Sequence, residues 1–244
     1  MSIIKAFEEG KIERIKNQGN SESLKKATDN FVLESIKSEY SYNFNWMGRP
    51  IIQYPQDIIA MQEIIWDVKP DLIIETGIAH GGSLIFSASM LELLGGNGHV
   101  LGIDIDIRDH NKAEILKHPM AKRISMIQGS SIDENIVAEV KKFVNGKERV
   151  LVCLDSNHTH AHVLKELELY SPFVTKDSYL VVFDTIVQDW PEGTVKNRPW
   201  DKGNNPKTAV WEFLQTHDEF EIDAAVHNKL LITVAPDGYL KRIK

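Results

Sequence analysis

With 244 residues, the chain is long enough for one large α/β domain with a sizeable core and too short for two such domains. The formal net charge of −7 argues against an extended nucleic-acid-binding surface. No apolar run approaches the ~20 residues that cross a bilayer, and the N-terminal region lacks a signal-peptide core, so we expect neither an integral membrane protein nor export by that route.

The chain has one cysteine, Cys153, which lies inside the apolar run 150–154. An intrachain disulfide is therefore impossible, and a buried thiol is the expected state of this side chain. Both features fit a reducing compartment, so we expect a cytoplasmic protein.

Residues 3–38 mix charged and apolar side chains at loosely helical spacing, with a break at 17–20. This pattern predicts two peripheral helices. We therefore divide the chain into an N-terminal helical extension, residues 1–45, and a main domain, residues 46–244. The extension could be a dimer arm or a cover for a substrate, and the chain could form a homo-oligomer.

The middle of the chain alternates short apolar runs with amphipathic stretches. Nearly continuous apolar runs are typical of parallel strands that helices cover on both faces, so the alternation predicts an α/β fold. The predicted strands are 72–76, 99–104, 123–127, 149–154 and 178–183, and the predicted helices are 56–68, 82–95, 109–118, 133–145 and 159–170.

The last two apolar segments, 220–226 and 229–234, are separated only by His227 and Asn228. A two-residue separation predicts an antiparallel hairpin. Together with the five strands before it, this hairpin predicts a mostly parallel sheet of seven strands with an antiparallel C-terminal edge.

The longest irregular segment, about 188–206, contains three prolines and two tryptophans. Loops of this length are commonly functional, so we predict a lid. Trp46, Trp190 and Trp200 could close over a ligand, although a tryptophan among loop residues is more often a packing anchor.

A glycine-rich turn directly follows the first predicted strand of the sheet. Glu75 lies at the strand end, and Gly77, Gly81 and Gly82 lie in the turn that opens the next helix. Glycines let the backbone approach a ligand, and a helix N-terminus presents free N–H groups. The spacing matches neither the dinucleotide nor the triphosphate fingerprint, and the acidic strand end suits a cationic or hydroxyl-rich ligand. Alternatively, the glycines only form a tight turn.

Two carboxylates, Asp104 and Asp106, end the next strand, with Asp104 lying 29 positions after Glu75. In dinucleotide folds an acidic residue at the second strand binds the ribose diol, and Asp104 is the better placed of the two. Either residue could instead cap the following helix.

Five segments together carry a family resemblance: 46–57, 75–82, 102–106, 154–158 and 203–206. Through them the chain, from about Trp46 to its end, resembles the class I S-adenosylmethionine-dependent methyltransferases, and within them the group named for cephalosporin hydroxylase and rhamnosyl O-methyltransferase. The resemblance implies a single doubly wound, Rossmann-like methyltransferase fold. It also implies that S-adenosylmethionine is held by Glu75, Gly77, Ala79, Gly81, Gly82, Ser83, Asp104, Ser130, Ser131 and Asp155, although Ser130 and Ser131 could belong to a plain loop.

Acidic residues also end the fourth and fifth strands, at Asp155 and Asp184. Carboxylates on adjacent rigid strands suit Mg²⁺, which completes its shell with water and substrate oxygens. Matching positions hold the cation in the metal-dependent O-methyltransferases that this chain resembles, such as catechol O-methyltransferase. Thr185 stands where that family has asparagine, which leaves the third protein ligand open. Alternatively, Asp155 caps a helix and Asp184 orients the lid.

His158 follows Asp155 by three positions, the place of the catalytic lysine in the catechol family. An imidazole with a pKa near ~6.5 suits a general base, so we predict Asp155 and His158 as catalytic residues. His160 and His162 complete a histidine-rich run that could bind metal, but helical spacing would place His158 and His162 together and His160 elsewhere. A supporting role for His158 is the alternative.

The resemblance implies a Mg²⁺-assisted O-methyltransferase that acts on a sugar hydroxyl of a glycan, glycolipid or glycosylated metabolite, as in carbohydrate or lipopolysaccharide biosynthesis. The sugar rests on the rhamnosyl half of the family name. An oxidoreductase of the cephalosporin hydroxylase kind would need a redox cofactor or iron, and its two-histidine facial triad is not plainly spaced here. A non-catalytic binding protein that keeps the cofactor fold is the other alternative.

Overall fold

One seven-stranded mixed sheet organises the fold in a computed structural model that describes residues 2–244. The helices are α1 (Ile3–Gly19), α2 (Glu22–Lys37), α3 (Pro55–Val68), α4 (Gly82–Leu94), α5 (Asp109–Lys117), α6 (Glu134–Val144), α7 (His160–Tyr170), α8 (Pro206–Phe213) and α9 (Ala224–Leu230). The strands are β1 (Phe44–Trp46), β2 (Arg49–Ile51), β3 (Leu72–Thr76), β4 (His99–Asp104), β5 (Ile124–Gln128), β6 (Val150–Leu154), β7 (Tyr179–Val182), β8 (Phe220–Ile222) and β9 (Tyr239–Arg242).

The strand order in the large sheet is β5-β4-β3-β6-β7-β9-β8. The strands from β5 to β7 are parallel, whereas β9 runs antiparallel to both β7 and β8. The prediction of a mostly parallel α/β sheet with antiparallel C-terminal strands is therefore confirmed. Because β4 and β6 lie on opposite sides of β3, the chain reverses direction across the sheet there, and ligands of such sheets bind at the carboxyl ends of these strands.

Helices cover both faces of the sheet, which explains the continuous apolar runs of its strands. Along β3, Ile73 joins a core shared with α3 and α4, whereas Leu72 and Ile74 join a second core shared with α6, α7 and α8. All of β3 is buried. The first partly exposed residue after β3 is Gly77, where the glycine turn begins.

The predicted parallel strands and their helices occur within a residue or two of their expected bounds. Two N-terminal helices are also present, and the helical structure is interrupted between them at Asn20 and Ser21. The small sheet of β1 and β2 was not predicted, because each strand has only three residues. Helix α8 was not predicted either, although the side chain of Asn205 caps it by accepting from the N–H groups of Lys207 and Thr208.

The predicted hairpin over 220–226 and 229–234 is wrong. Strand β8 ends at Ile222, and the side chain of Asp223 then accepts a hydrogen bond from the Ala225 N–H to begin α9. The strand that pairs with β8 comes later, as β9. A helix is favoured here because an N-cap and two alanines start it, and because α1 packs against it.

A buried carboxylate, Asp57, joins α3 to the C-terminal region. It accepts hydrogen bonds from the Tyr239 hydroxyl at 2.7 Å, the Val234 N–H at 2.9 Å and the Thr233 hydroxyl. Burial raises the pKa of Asp57 to about 6. The three donors fix α3 against β9 and the segment before it.

The N-terminal helices differ in how they pack. Helix α1 has no buried residue and docks on α9, where the Gln18 side chain donates to the carbonyls of Asn228 and Lys229. Helix α2 contributes Val32 to the core, and its Ser35 hydroxyl hydrogen-bonds Tyr54. Among residues 2–244, no helix combines the length and the apolar character that a membrane crossing requires.

Candidate functional site

The glycine turn after β3 lies directly against the end of β6. Gly77 has a φ of +91°, and a Cβ atom at this position would come 2.1 Å from the carbonyl oxygen of Asp155. At the start of α4, a Cβ on Gly82 would come equally close, 2.1 Å, to the carbonyl oxygen of Pro50. Only glycine fits at these two places, so the turn is wedged between β6 and β2.

The carboxylate of Asp104, at the end of β4, holds this turn in place. It accepts from the N–H groups of Ile78 at 2.8 Å and Ala79 at 3.3 Å. Ala79 has a φ of +45°, and its carbonyl accepts from the Asn111 side chain at 2.9 Å. Hydrogen bonds to its N–H and carbonyl groups therefore stabilise the left-handed backbone conformation of Ala79.

The helix-cap alternative for the two aspartates is not observed. Helix α5 begins after Arg108 with no side-chain cap. Asp106 is exposed and lies 3.8 Å from the Arg108 guanidinium, whereas Asp104 also accepts from the Asp106 N–H at 2.9 Å. Of the two residues, Asp104 is the one that contacts the glycine turn.

Glu75 lies almost completely buried beneath the turn, with 4% of its surface exposed. The Ser83 hydroxyl donates to its carboxylate, but burial is the larger effect and raises the pKa of Glu75 to about 7. Glu75, Ser83, Gln53 and Asp155 line a cavity of about 20 Å³, and the side-chain oxygen of Gln53 has no partner among residues 2–244. This is room for roughly one water-sized polar group.

Asp155, His158 and Asp184 come together at the ends of β6 and β7. One ligand atom from each lies within 4.8 Å of the others, and the His158 Nε2 atom is 3.1 Å from the Asp184 carboxylate. Burial, and then the charges of Asp184, Glu75 and Glu166, raise the pKa of Asp155 well above its ordinary value. No cation among residues 2–244 lowers the pKa of Asp155 in return, so the cluster suits a bound cation.

The donor set fits a magnesium ion. Two carboxylates on adjacent strand ends are typical of Mg²⁺ sites, in which water and substrate oxygens fill the remaining positions. Thr185 does not supply a third ligand, because its hydroxyl is buried and donates to the carbonyl of Pro236 at 2.6 Å. His158 is the third side chain that the fold brings to this place.

An aromatic residue, Trp200, packs against the cluster. The Trp200 ring packs edge to face with His158, with 4.8 Å between centroids, and the Arg198 guanidinium lies 5.3 Å from the Trp200 ring centre. Partial burial, and then the charge of Asp184, raise the pKa of Tyr42. Tyr42 was not predicted, although the aromatic run 40–46 was a visible signal.

The segment that carries Trp200 is anchored at its C-terminal end. The Gln188 side-chain oxygen accepts from Asn205 at 2.6 Å and from the Gly203 N–H at 2.9 Å. Asn204 accepts from the His160 N–H at 3.0 Å. The role of residues 188–206 as a lid stays a prediction.

The three histidines of 158–162 contact three different sets of residues. His160 bonds the Thr208 hydroxyl at 2.9 Å and lies 3.1 Å from Glu212, whereas His162 lies beside Ser131. The expectation that His158 and His162 share a helix face is wrong, because α7 begins only at His160. Of the three, His158 is the one that joins the carboxylate cluster.

The two serines after β5 have different environments. Ser131 is buried and its hydroxyl lies 3.1 Å from His162, whereas Ser130 is half-buried and its carbonyl accepts from the Asp133 N–H at 3.0 Å. Their role at an adenine edge stays a prediction. His162 and Glu166 were not predicted as site residues, although their spacing of four on a helix was visible.

The chain is similar to known proteins along most of its length. A family model described as Rhamnosyl O-methyltransferase/CmcI matches residues 38–243. The rhamnosyl O-methyltransferase of Mycobacterium leprae (strain TN) is 29% identical over 220 residues, covering 86% of this chain and 90% of the relative. The rhamnosyl O-methyltransferase of Mycobacterium tuberculosis (strain ATCC 25618 / H37Rv) is 28% identical over 225 residues, covering 86% and 85%.

Solved structures share the fold. An apo structure of CmcI has a TM-score of 0.60 at 17% identity and covers 83% of this chain and 77% of that one. A structure of CmcI with Mg and SAM has a TM-score of 0.58 at 19% identity and covers 83% and 78%. These similarities confirm the methyltransferase fold.

Proposed function

The chain belongs to the Rhamnosyl O-methyltransferase/CmcI family, and from this membership we propose that it methylates a hydroxyl of a sugar-containing acceptor with S-adenosylmethionine and Mg²⁺. The expectation of an S-adenosylmethionine-dependent O-methyltransferase is confirmed by the family. The observation that carries the proposal is the cluster of Asp155, His158 and Asp184 beside the turn that Asp104 holds.

The charge of the site favours this cofactor. Glu75 and Asp155 are carboxylates whose pKa values burial raises, and no cation in the described part of the chain offsets either one. S-adenosylmethionine carries a sulfonium and an ammonium group, so its positive charge would stabilise the ionised carboxylates. Asp104 would accept hydrogen bonds from the ribose diol through the carboxylate lone pairs that the N–H groups of the turn do not use.

We propose that His158 acts as the general base. Its Nε2 atom lies 3.1 Å from the Asp184 carboxylate, which orients the ring. Mg²⁺ held by Asp155 and Asp184 would lower the pKa of the acceptor hydroxyl and fix its oxygen. His158 would take the hydroxyl proton while the oxygen–methyl bond forms and the sulfur–methyl bond breaks.

The hydroxylase alternative needs a two-histidine, one-carboxylate iron site. The one His/Cys/Asp/Glu group that could hold a metal within residues 2–244 contains a single histidine and two carboxylates. We therefore favour methyl transfer over redox chemistry. We also propose a cytoplasmic location, which the free, buried Cys153 supports.

The sugar acceptor is proposed from the names of the relatives, rhamnosyl O-methyltransferases. A panel of rhamnosides, other glycosides and catechol, each supplied with S-adenosylmethionine and Mg²⁺, should give adenosylhomocysteine release with at least one glycoside. Mass spectrometry should then find one added methyl group on that glycoside. Release with catechol alone would contradict the sugar part of the proposal.

Asp104→Ala is expected to weaken S-adenosylmethionine binding by roughly 1–3 kcal/mol, because a charged acceptor of hydroxyl hydrogen bonds is lost and the turn loses its hold. Calorimetric titration measures the difference. Asp106→Ala is the matched control, because Asp106 is exposed and its ionic partner is Arg108. Equal affinities for the wild type and Asp104→Ala would remove Asp104 from the cofactor site.

A further inference from the structure

An open cleft of about 540 Å³ lies at the edge of the sheet opposite the candidate site. It is lined by residues from the segments 66–71, 91–98 and 146–149, which precede β3, β4 and β6, and we name it the amino-end cleft. Strand β3 has five residues, so at about 3.3 Å per residue roughly 16 Å of strand separates this cleft from the glycine turn. The amino-end cleft is therefore distinct from the carboxylate cluster.

Positive charge is concentrated in the amino-end cleft. Three basic side chains line it, those of Lys69, Lys147 and Arg149, against one carboxylate, that of Asp71. Every ion pair among residues 2–244 involves other basic residues. The lining thus has a formal charge of +2 on a chain whose net charge is −7, and such a local excess attracts anions.

The Asp71 carboxylate binds the backbone and not the three basic side chains. It accepts from the N–H groups of Glu148 at 3.0 Å and Arg149 at 3.1 Å. The N–H group of Asp71 donates to the Arg149 carbonyl at 2.9 Å, and its carbonyl accepts from the His99 N–H at 3.2 Å. Asp71 therefore connects the loops before β3, β4 and β6 and fixes the shape of the cleft.

The wall formed by the loop before β4 is held by Arg123. Its guanidinium donates to the carbonyls of Gly98 at 2.8 Å and Gly96 at 3.0 Å, and it pairs with the Glu92 carboxylate at 2.6 Å. These bonds fix the backbone of the loop from outside the cleft. A ligand would thus meet walls that are already formed, which lowers the entropic cost of binding.

The electrostatic effect of this positive charge is visible at His99, the first residue of β4. Burial, and then the charges of Lys147 and Arg123, lower the pKa of His99. Both cations act in the same direction because each repels a protonated imidazole. An anion at this edge of the sheet would experience the opposite effect and be stabilised.

The rest of the cleft offers apolar surface. Leu91 and Leu94 line it together with Trp66, whose surface is 59% exposed. The Lys69 ammonium lies 5.6 Å from the centre of the Trp66 ring, so apolar surface and positive charge are adjacent. A concave site of this volume is typical of small-molecule binding, and a bare inorganic anion would leave the apolar wall uncovered. The ligand that fits has both an anionic group and an organic part.

We propose that the amino-end cleft binds a small organic phosphate, with its phosphate group at Lys147 and Arg149 and its organic part against Trp66. A phosphate monoester carries roughly two negative charges at neutral pH, which balances the charge of the lining. The guanidinium of Arg149 can donate two parallel hydrogen bonds to phosphate oxygens. The proposal goes beyond methyl transfer and does not depend on it.

Titration with phenyl phosphate tests the proposal, with a chelator present so that no divalent cation recruits phosphate to the carboxylate cluster. The double variant Lys147→Gln with Arg149→Gln should raise the dissociation constant about tenfold or more, because charge-assisted hydrogen bonds to the phosphate are lost. The matched control is Lys141→Gln with Lys142→Gln, which removes two exposed positive charges of α6 that lie outside the cleft. This control should bind phenyl phosphate as the wild type does.

Inorganic phosphate serves as a second probe, for the apolar wall. Wild-type protein should bind phenyl phosphate more tightly than inorganic phosphate, and Trp66→Ala should reduce this difference while leaving the affinity for inorganic phosphate unchanged. S-adenosylhomocysteine should not displace phenyl phosphate, and its affinity should be the same for the wild type and all these variants. That second measurement also reports that each variant is folded. Should the Lys147 and Arg149 variant fail to fold, Lys69→Gln, a change at an exposed residue, should weaken phenyl phosphate binding in its place.

Four outcomes would overturn the proposal. They are no binding of phenyl phosphate by the wild type, equal losses in the two double variants, displacement of phenyl phosphate by S-adenosylhomocysteine, and equal affinities for the two phosphates. Binding to vesicles that contain phosphatidylglycerol, without binding of phenyl phosphate, would instead assign the basic residues to a membrane surface. None of these results depends on an acceptor or on turnover, so the proposed methyltransferase activity is tested separately.

Discussion

Replacing His158 by alanine is expected to lower the turnover number on the order of 10²–10⁴-fold while the protein stays folded and still binds S-adenosylmethionine. A large loss is expected because His158 is the one imidazole in the carboxylate cluster, 3.1 Å from Asp184. Turnover at saturating cofactor and acceptor measures the loss. His160→Ala serves as the control, because that ring bonds Thr208 and lies outside the cluster.

The pH profile separates a base from a metal ligand at this position. If His158 is the base, the turnover of the wild type and the residual turnover of His158→Ala should have different pH profiles. A ligand role predicts a different outcome, in which excess Mg²⁺ restores most of the activity of His158→Ala. An unchanged pH profile in the variant would return His158 to a supporting role.

Removing the divalent cation is expected to suppress methyl transfer on the order of 10³-fold and to leave adenosylhomocysteine affinity nearly unchanged. The cofactor contacts that we propose lie mainly at the ends of β3 and β4, whereas Asp184 lies just beyond the end of β7. Added Mg²⁺ should restore the rate. Release of adenosylhomocysteine in chelator and in Mg²⁺ measures the effect, with calorimetry as the measure of binding.

The substitution Asp184→Asn tests the metal proposal by changing a proposed ligand instead of removing the cation. It removes one anionic ligand and does not touch the cavity below Glu75, so cofactor binding should survive while turnover falls. Asp106→Asn, which neutralises an exposed carboxylate outside the cluster, controls for the loss of one charge. Full activity in chelator with both Asp155 and Asp184 replaced would falsify the metal proposal.

The acidic residues at the strand ends could be predicted as site residues because the topology of a parallel sheet determines where they lie. Parallel strands bring their carboxyl ends to one edge, so Glu75, Asp104, Asp155 and Asp184 were expected to lie along the same edge of the sheet once the strands were identified. Their apolar runs were unambiguous because both faces of the sheet are buried. The register of each strand then fixed which acidic residue lies at its end.

The C-terminal region could not be predicted in the same way. Short apolar runs such as 220–226 fit a buried strand or a helix equally well. Here the Asp223 cap and the packing of α1 on α9 favour the helix, and that packing joins Gln18 to Asn228, which are 210 positions apart. Local pattern carries no information about such a contact.

The surroundings of the site depended on loops rather than on strands. Trp200 reaches the cluster from a segment whose path no periodicity defines. The spacing of His162 and Glu166 was visible in the sequence, but its meaning depends on Ser131 and Ser156, which come from two other loops. A sequence pattern identifies such residues only after the neighbours of their helix face are known.

The bonds that Asp57 accepts also set the order in which the site can be completed during synthesis. Asp57 lines the cavity below Glu75, and its three donors come from Thr233, Val234 and Tyr239, far later in the chain. On the ribosome, a nascent chain that has exposed the whole glycine turn still lacks every one of these donors. Its Asp57 carboxylate must remain hydrated until these donors are available. The hydrogen bonds that fix Asp57 in this cavity therefore form only after residues 233–239 have emerged.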